Sequence, residues 1–504
     1  MRVTNGRVWA VGLLATAAFF LLAGGWALAL PVNGTYDEDQ HIVRAYAVAT
    51  GQWLPTGRAL DAAGLPAEAF EAPRSLLPEN AACTWQPRPP QPASCLRLVT
   101  DSGNTWMPSQ AARYSPVYYL ATGLPLWLSP DSTGVLGSRL VSALLSAALL
   151  GTAVAIGFRL GNRLLLGAIV LVCTPTVLNL IGAVNPNGLE ISAGILLFVA
   201  LLALFRGTPE DDSPGETWLL AAAGLASGLL LTVRQQSGPV LFVGIVGACL
   251  LVARRQRLAG LIRRRRTLAL LGAPIVGGIG FALGWLLYSR VTEVERLPGR
   301  GLPYDVGEIL RRLPGERLQF YVDQVVARFG YGETGVSPLL IVAWYALFAL
   351  LVGPALWLGC ARLRIAIIGV FLGCLLMMIE REIHFVPTYG WYSHSRYVLP
   401  LGVGVVLLAA FSTRLTTRLR DRGWLGWPVT VLIVATTPLD LYALIRVMSR
   451  FQVGVESSFD PLGGSWHPPL GSATALGVTA LGILGLIGAA IVAVPPVTDD
   501  KPSD

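Results

Sequence analysis

The sequence predicts an all-α polytopic membrane protein with about twelve transmembrane helices and a long first loop on the outer side. Two observations predict this: 53% of the 504 residues are hydrophobic and only 13% are charged, and apolar runs of about 20 residues, enough to cross a bilayer, recur from end to end. The expected spans are 8–30, 134–158, 163–183, 188–206, 217–233, 236–253, 267–289, 335–358, 364–379, 396–413, 425–446 and 471–494. Residues 1–504 are read as one integral membrane domain, with outer loops at 31–133 and 290–334 and a short tail at 495–504.

The first run, ending at Leu30, has Arg2 and Arg7 before it but is too long for a secretory signal and lacks a small-x-small cleavage site before Pro31. It is expected to stay as a helix. Orientation follows from the arginines, because cytoplasmic loops retain basic residues. Arg254, Arg255, Arg257 and Arg263 to Arg266 mark one side as inside, and Arg159, Arg163, Arg362, Arg364 and Arg414 to Arg422 fall on that side too. Both termini are then cytoplasmic, and 31–133, 290–334, 380–395 and 447–470 lie outside.

The net charge of +8 is used up by these topological loops. A nucleic-acid partner, which requires a basic face on a soluble domain, is not expected. The partners implied by the composition are membrane lipids.

Four of the six cysteines lie in or beside apolar spans and read as packing residues. Cys83 and Cys95 differ: both fall in the first outer loop, among Pro78, Pro87, Pro89, Pro90 and Pro92. In an oxidising compartment they are expected to form a disulfide that staples a loop too proline-rich for a helix. No histidine stands near either, which disfavours zinc. In 290–334, the stretch Leu310 to Phe329 is amphipathic and predicts a helix lying on the membrane surface.

The chemistry-bearing stretch is Tyr36-Asp37-Glu38-Asp39-Gln40-His41, directly after the first span. Thr35 and Glu38 have the spacing of a capping box, predicting a helix that runs to about Gly51. On it Asp37, His41 and Arg44 fall at i, i+4 and i+7, one face. Asp37 and Asp39 form an Asp-x-Asp pair, which would hold Mg or Mn only with help from a substrate phosphate, so a divalent metal is allowed but not favoured. Elsewhere, ionisable residues are read as avoiding the span centres, which weighs against a transporter.

The segment Tyr36-Asp37-Glu38, with His41, Arg44-Ala45-Tyr46 and Gly51-Gln52-Trp53-Leu54-Pro55, resembles the first outer loop of the GT-C glycosyltransferases. Tyr114-Ser115-Pro116-Val117-Tyr118-Tyr119 is similar to the motif that opens a juxtamembrane helix in such enzymes. Asn185-Pro186-Asn187-Gly188 and Ser395-Arg396-Tyr397-Val398-Leu399-Pro400 add two further matches in the same order, all on the outer side. Within that superfamily the nearest match is an uncharacterised group of bacterial membrane proteins, a domain of unknown function. Ser115 replaces a proline, and Asn187 stands where an aspartate is expected.

The resemblance implies an inverting transfer of a hexose or pentose from a polyprenyl-phosphate donor to an extracytoplasmic glycan or lipid acceptor, in a bacterial plasma membrane, with the site facing outward. It makes Asp37 the general base and Glu38 an acceptor-positioning residue. Arg396 is the foremost phosphate ligand, because a planar guanidinium pairs two phosphate oxygens at once. His394, Tyr397, His41, Arg44, Arg381, His384 and Asn187 are the secondary candidates around the substrate. A lipid or solute transporter, and a non-catalytic envelope assembly protein, are the two readings from other classes.

Overall fold

The computed structural model describes residues 5–61, 64, 66–86, 89–206, 214–290, 301–424, 426–456 and 459–493. The expected tail at 495–504 and residues 291–300 of the second outer loop lie outside the described residues. Among those described, nine helices are long and apolar enough to cross a membrane, and two bent helix pairs bring the number to as many as eleven. The bent pairs are Arg163–Val172 with Pro175–Ile181 (73°) and Leu399–Ala410 with Thr413–Asp421 (43°). The first coincides with the expected span 163–183; of the second, only Leu399–Ala410 lies in the expected span 396–413, and Thr413–Asp421 is a helix in the basic stretch expected to be a loop. The expected span 236–253 is a shorter apolar helix, Gly238–Leu251.

Helix starts follow local chemistry. Asp131 accepts from the N–H groups of Thr133 and Gly134 to cap Ser132–Arg159. Thr174 and Ser412 cap the second member of each bent pair, and Pro175 and Pro338 occupy first turns, where no N–H is needed. Helix Pro186–Arg206 is buried along its length up to Phe205 and forms the centre of the bundle. Asn5–Ala29 packs between Ser132–Arg159 and Ser472–Ala493 through small residues: a Cβ on Gly151 would meet Thr16 Oγ1 at 1.9 Å, and one on Gly25 would meet Thr479 Oγ1 at 1.9 Å.

The first outer loop contains a sheet that its proline content disguised. Strands β1 (Gly57–Leu60), β2 (Pro66–Pro73) and β3 (Asn104–Pro108) form an antiparallel sheet in the order β1-β2-β3. Cys83 and Cys95 are bonded, their Cα atoms 6.2 Å apart. The Tyr114 motif opens two short helices, Val117–Thr122 and Leu124–Leu128, and neither spans. The amphipathic stretch of the second outer loop is two helices, Val306–Glu316 and Leu318–Val326, with the junction at Arg317.

Two readings are corrected. The helix after the first span is Glu38–Ala49, but no capping box forms: Asp37 occupies the N-cap position without a side-chain cap, and the Thr35 hydroxyl instead accepts from Asn179 at 3.1 Å. The span centres are also not free of ionisable groups, since Asp440 sits midway along Trp427–Gln452, buried, with Oδ1 unpartnered among the described residues.

Candidate active site

Glu38 fixes the loop that carries Asp37. Its carboxylate is fully buried and accepts from Arg139 Nε at 2.7 Å and Nη2 at 2.6 Å, and from the N–H groups of Asn33 and Val184. Arg139 in turn donates to the carbonyls of Ala27, Leu30 and Pro31, the frayed end of the first span. A buried ion pair of this kind persists only where every remaining donor and acceptor is met. Glu38 is thus neither a helix cap nor exposed to substrate; it is the joint between the first two membrane helices and the outer loop.

Asn185 secures the same loop from the other side, donating to the Tyr36 carbonyl at 2.9 Å. Between these two anchors Asp37 adopts φ 57°, the left-handed region. Few residues other than glycine tolerate that conformation, aspartate being one of them. The twist turns its carboxylate toward Arg396, with which it forms an ion pair. Arg396 is 2% exposed at the side chain and Asp37 38%.

Arg396 is seated by its neighbours. The Ser395 N–H donates to Gln324 Oε1 at 2.7 Å, and the Ser395 hydroxyl donates to the Tyr321 carbonyl. With its oxygen so committed, Gln324 points its amide nitrogen at His394 Nδ1, 3.0 Å away. That makes Nδ1 the acceptor and leaves the imidazole proton on Nε2. Burial, helped by the charges of Arg396 and Arg317, holds His394 well below the usual histidine range, so it is neutral.

Three guanidiniums gather on one phenol ring. Arg381, Arg396 and Arg234 lie 4.7, 5.1 and 5.3 Å from the centre of Tyr397, close enough for cation–π attraction. Arg234 also donates to Asn187 Oδ1 at 3.2 Å and Glu190 Oε2 at 3.4 Å, and Glu190 Oε1 accepts from the Ser237 hydroxyl. Among the described residues, Nε and Nη1 of Arg396 have no partner, and no carboxylate lies within ion-pair distance of Arg381. Buried N–H groups on a cation are costly to leave unmet, and an anion placed beside Arg396 would satisfy them.

The structure therefore brings together Asp37, Arg396, Tyr397, His394, Arg381 and, through Arg234, Asn187. His41 sits nearby, hydrogen-bonded through Nδ1 to Tyr119 Oη at 2.8 Å. Burial and the charges of Arg234 and Arg396 hold its imidazole well below the usual range, so it offers a hydrogen bond and no charge. Arg44 is a correction: it is buried and donates to the carbonyls of Tyr114, Gln52 and Trp53, so it holds the loop together and does not join the face of Asp37. His384 faces away, lining a separate groove with Ile379, Glu380 and Pro387.

The Asp37–Asp39 metal pair is a poor fit. Asp39 Oδ1 accepts from Tyr331 Oη and the Gln40 N–H, and Oδ2 accepts from the Gln40 side chain. Burial, opposed by the Tyr331 hydrogen bond, pushes this carboxyl up to about 6. Its oxygens are engaged and Asp37 faces Arg396, so the two carboxylates do not converge.

All of the clustered residues fall within 19–405, the segment that matches the family described as "Predicted membrane protein (DUF2142)". The chain belongs to the DUF2142 family. No curated protein matches this DUF2142 member. Among solved structures it is similar to ArnT from Cupriavidus metallidurans bound to undecaprenyl phosphate, with TM-score 0.42 and 15% identity over 97% of this chain and 77% of the other. The oligosaccharyltransferase of Archaeoglobus fulgidus, in complex with Zn and sulfate, gives TM-score 0.31 and 10% identity over 90% and 54%.

Sequence reasoning missed Arg234, Glu190 and Arg139 in this DUF2142 chain. A signal existed for the first two: Arg234 falls in a turn that the arginine count assigns to the outer side, against the positive-inside trend, and Glu190 lies inside a span, where an acid needs a partner.

Proposed function

We propose that this DUF2142 protein is a GT-C-type membrane glycosyltransferase. It moves a sugar from a polyprenyl-phosphate donor to an extracytoplasmic glycan or lipid acceptor, with inversion, in the bacterial plasma membrane. The observation that carries this reading is the arrangement of Arg234, Arg381 and Arg396 around Tyr397, beside the half-open carboxylate of Asp37.

The donor phosphate takes the two unmet nitrogens of Arg396, Nε and Nη1, and competes with Asp37 for Nη2. Asp37, released from the pair, receives the proton of the acceptor hydroxyl. The hydroxyl oxygen bonds to the anomeric carbon on the face opposite the phosphate, and the carbon–oxygen bond to phosphate breaks with its electron pair leaving on phosphate. The guanidiniums meet that growing charge, which is where preorganised positive groups lower a barrier most. Neutral His41 and His394 orient oxygens by hydrogen bonds. Glu38 acts only by holding Asp37 in place. Glu190, one helical turn after Asn187, supplies the acidic group that Asn187 lacks.

The test is transfer by purified protein in nanodiscs, given labelled sugar on polyprenyl phosphate and an envelope extract of the source cell. Label moving from the carrier to an extract component supports the reading; label remaining on the carrier overturns it. The glycan profile of a deletion strain then names donor and acceptor together through the missing linkage.

One feature favours transport instead. The break between Arg163–Val172 and Pro175–Ile181 leaves Cys173 near the buried Asp440 of Trp427–Gln452, a midspan carboxylate beside an interrupted helix. Proteoliposomes that move lipid or solute, with Asp440→Asn abolishing the flux and Asp37→Asn leaving it intact, would favour that reading.

A further inference from the structure

The end of the bundle away from Asp37 carries a charged, open cavity. Helix Ala361–Tyr389 brings Arg381 to the candidate site, and its first residue lies about 30 Å away at 1.5 Å per residue. At that far end, Leu399–Ala410 bends by 43° into Thr413–Asp421. The second piece is amphipathic: Leu415 is buried and Leu419 half-buried against the core, whereas Arg414, Thr417, Arg418 and Asp421 are exposed on the opposite face.

That face forms one wall of a cavity of about 520 Å³, and Trp357 and Leu358, at the end of Pro338–Leu358, form the other. The far wall is fixed by arginines that cap it: Arg364 donates to the Trp357 carbonyl at 2.7 Å and Arg414 to the Leu358 carbonyl at 3.4 Å. Trp357 is 82% exposed, and Leu350, two turns before it, 64%. Two guanidiniums against the single carboxylate of Asp421 leave the cavity cationic. It opens beside an apolar helix surface at the level where that surface ends.

We propose that this cavity binds the headgroup of an anionic phospholipid, its phosphodiester between Arg414 and Arg418 and its acyl chains along Leu350 and Trp357. The continuity of cationic cavity and exposed apolar helix favours a lipid over a free anion, which would have no use for the second surface. Basic pockets between membrane helices are suited to such headgroups.

The test is native mass spectrometry of the full-length protein with phosphatidylglycerol or phosphatidylcholine, alongside thermal melting in the same lipids. Wild type is expected to prefer phosphatidylglycerol by about tenfold, and Arg414→Gln with Arg418→Gln to lose about 30-fold in affinity for it, at about fivefold per arginine. Asp421→Asn, which removes the opposing charge, is expected to bind about threefold tighter and to melt higher in phosphatidylglycerol. Equal binding of the two lipids by wild type, or unchanged binding by both variants, overturns the proposal. Should the double variant fail to fold, the Asp421→Asn result decides. Displacement of phosphatidylglycerol by millimolar inorganic phosphate overturns it in favour of a free-anion site.

Discussion

Asp37 and Arg396, 359 positions apart in the chain, meet as an ion pair whose two halves differ in freedom. The guanidinium is buried and pinned through Ser395, while the carboxylate keeps 38% of its side chain exposed. In the proposed reaction an arriving phosphate exchanges for Asp37 on this fixed cation, so donor binding and release of the base become one event.

Arg396→Lys tests the guanidinium geometry. Lysine keeps the charge but not the planar fork that reaches two oxygens. The variant is expected to fold, to raise the KM for donor, and to lower kcat/KM by about 100-fold, as removal of one oriented donor to a developing charge commonly does. Steady-state kinetics with varied donor checks this; an unchanged kcat/KM would remove Arg396 from the phosphate site.

Glu38→Gln tests the buried joint. Breaking one side of a buried, fully hydrogen-bonded pair costs about 3–5 kcal/mol, here because Arg139 keeps its charge among apolar neighbours. A marked fall in melting temperature is expected. Any folded fraction should keep a near-normal donor KM, whereas a catalytic carboxylate would lose kcat with stability intact.

Asp39 predicts a pH dependence of stability. Its carboxyl is raised to about 6 in the folded protein, against about 3.9 in an unfolded chain. Between those values the folded state binds the extra proton, so this contribution is fully present below pH 4 and is lost as pH rises through about 6. Asp39→Asn mimics the neutral form. Its melting temperature is expected to exceed that of wild type at pH 7.5, with the gap narrowing through pH 5 and closing at about pH 4.

Reducing the Cys83–Cys95 bond, 12 residues apart, or replacing both cysteines by serine, is expected to cost about 3 kcal/mol, the scale for a short closed loop. The loosened segment includes Trp85, stacked on Tyr331 at 4.2 Å, and Tyr331 holds Asp39. The melting temperature should fall while the donor KM changes little.

Hydropathy and cysteine context made most of the spans and the disulfide legible, because each depends on local composition. Asp37, Arg396 and Tyr397 could be placed on the same side of the membrane, but not in contact. Arg44 was misread because helical spacing shows which residues share a face, not that coil carbonyls at Gln52, Trp53 and Tyr114 need a donor. Glu38 was misread for a similar reason: its true partner, Arg139, is 101 residues away. The sheet escaped notice because Pro66 and Pro73 bound β2, and Gly57 opens β1 under the ring of Trp106.

The most direct measurement is single-turnover transfer of labelled sugar from polyprenyl phosphate by wild type and Asp37→Asn, both verified as folded by their melting curves. With Asp37 as base, the variant should bind donor normally and transfer about 10²–10⁴ times more slowly. Equal rates from the two folded proteins would contradict the assignment of Asp37.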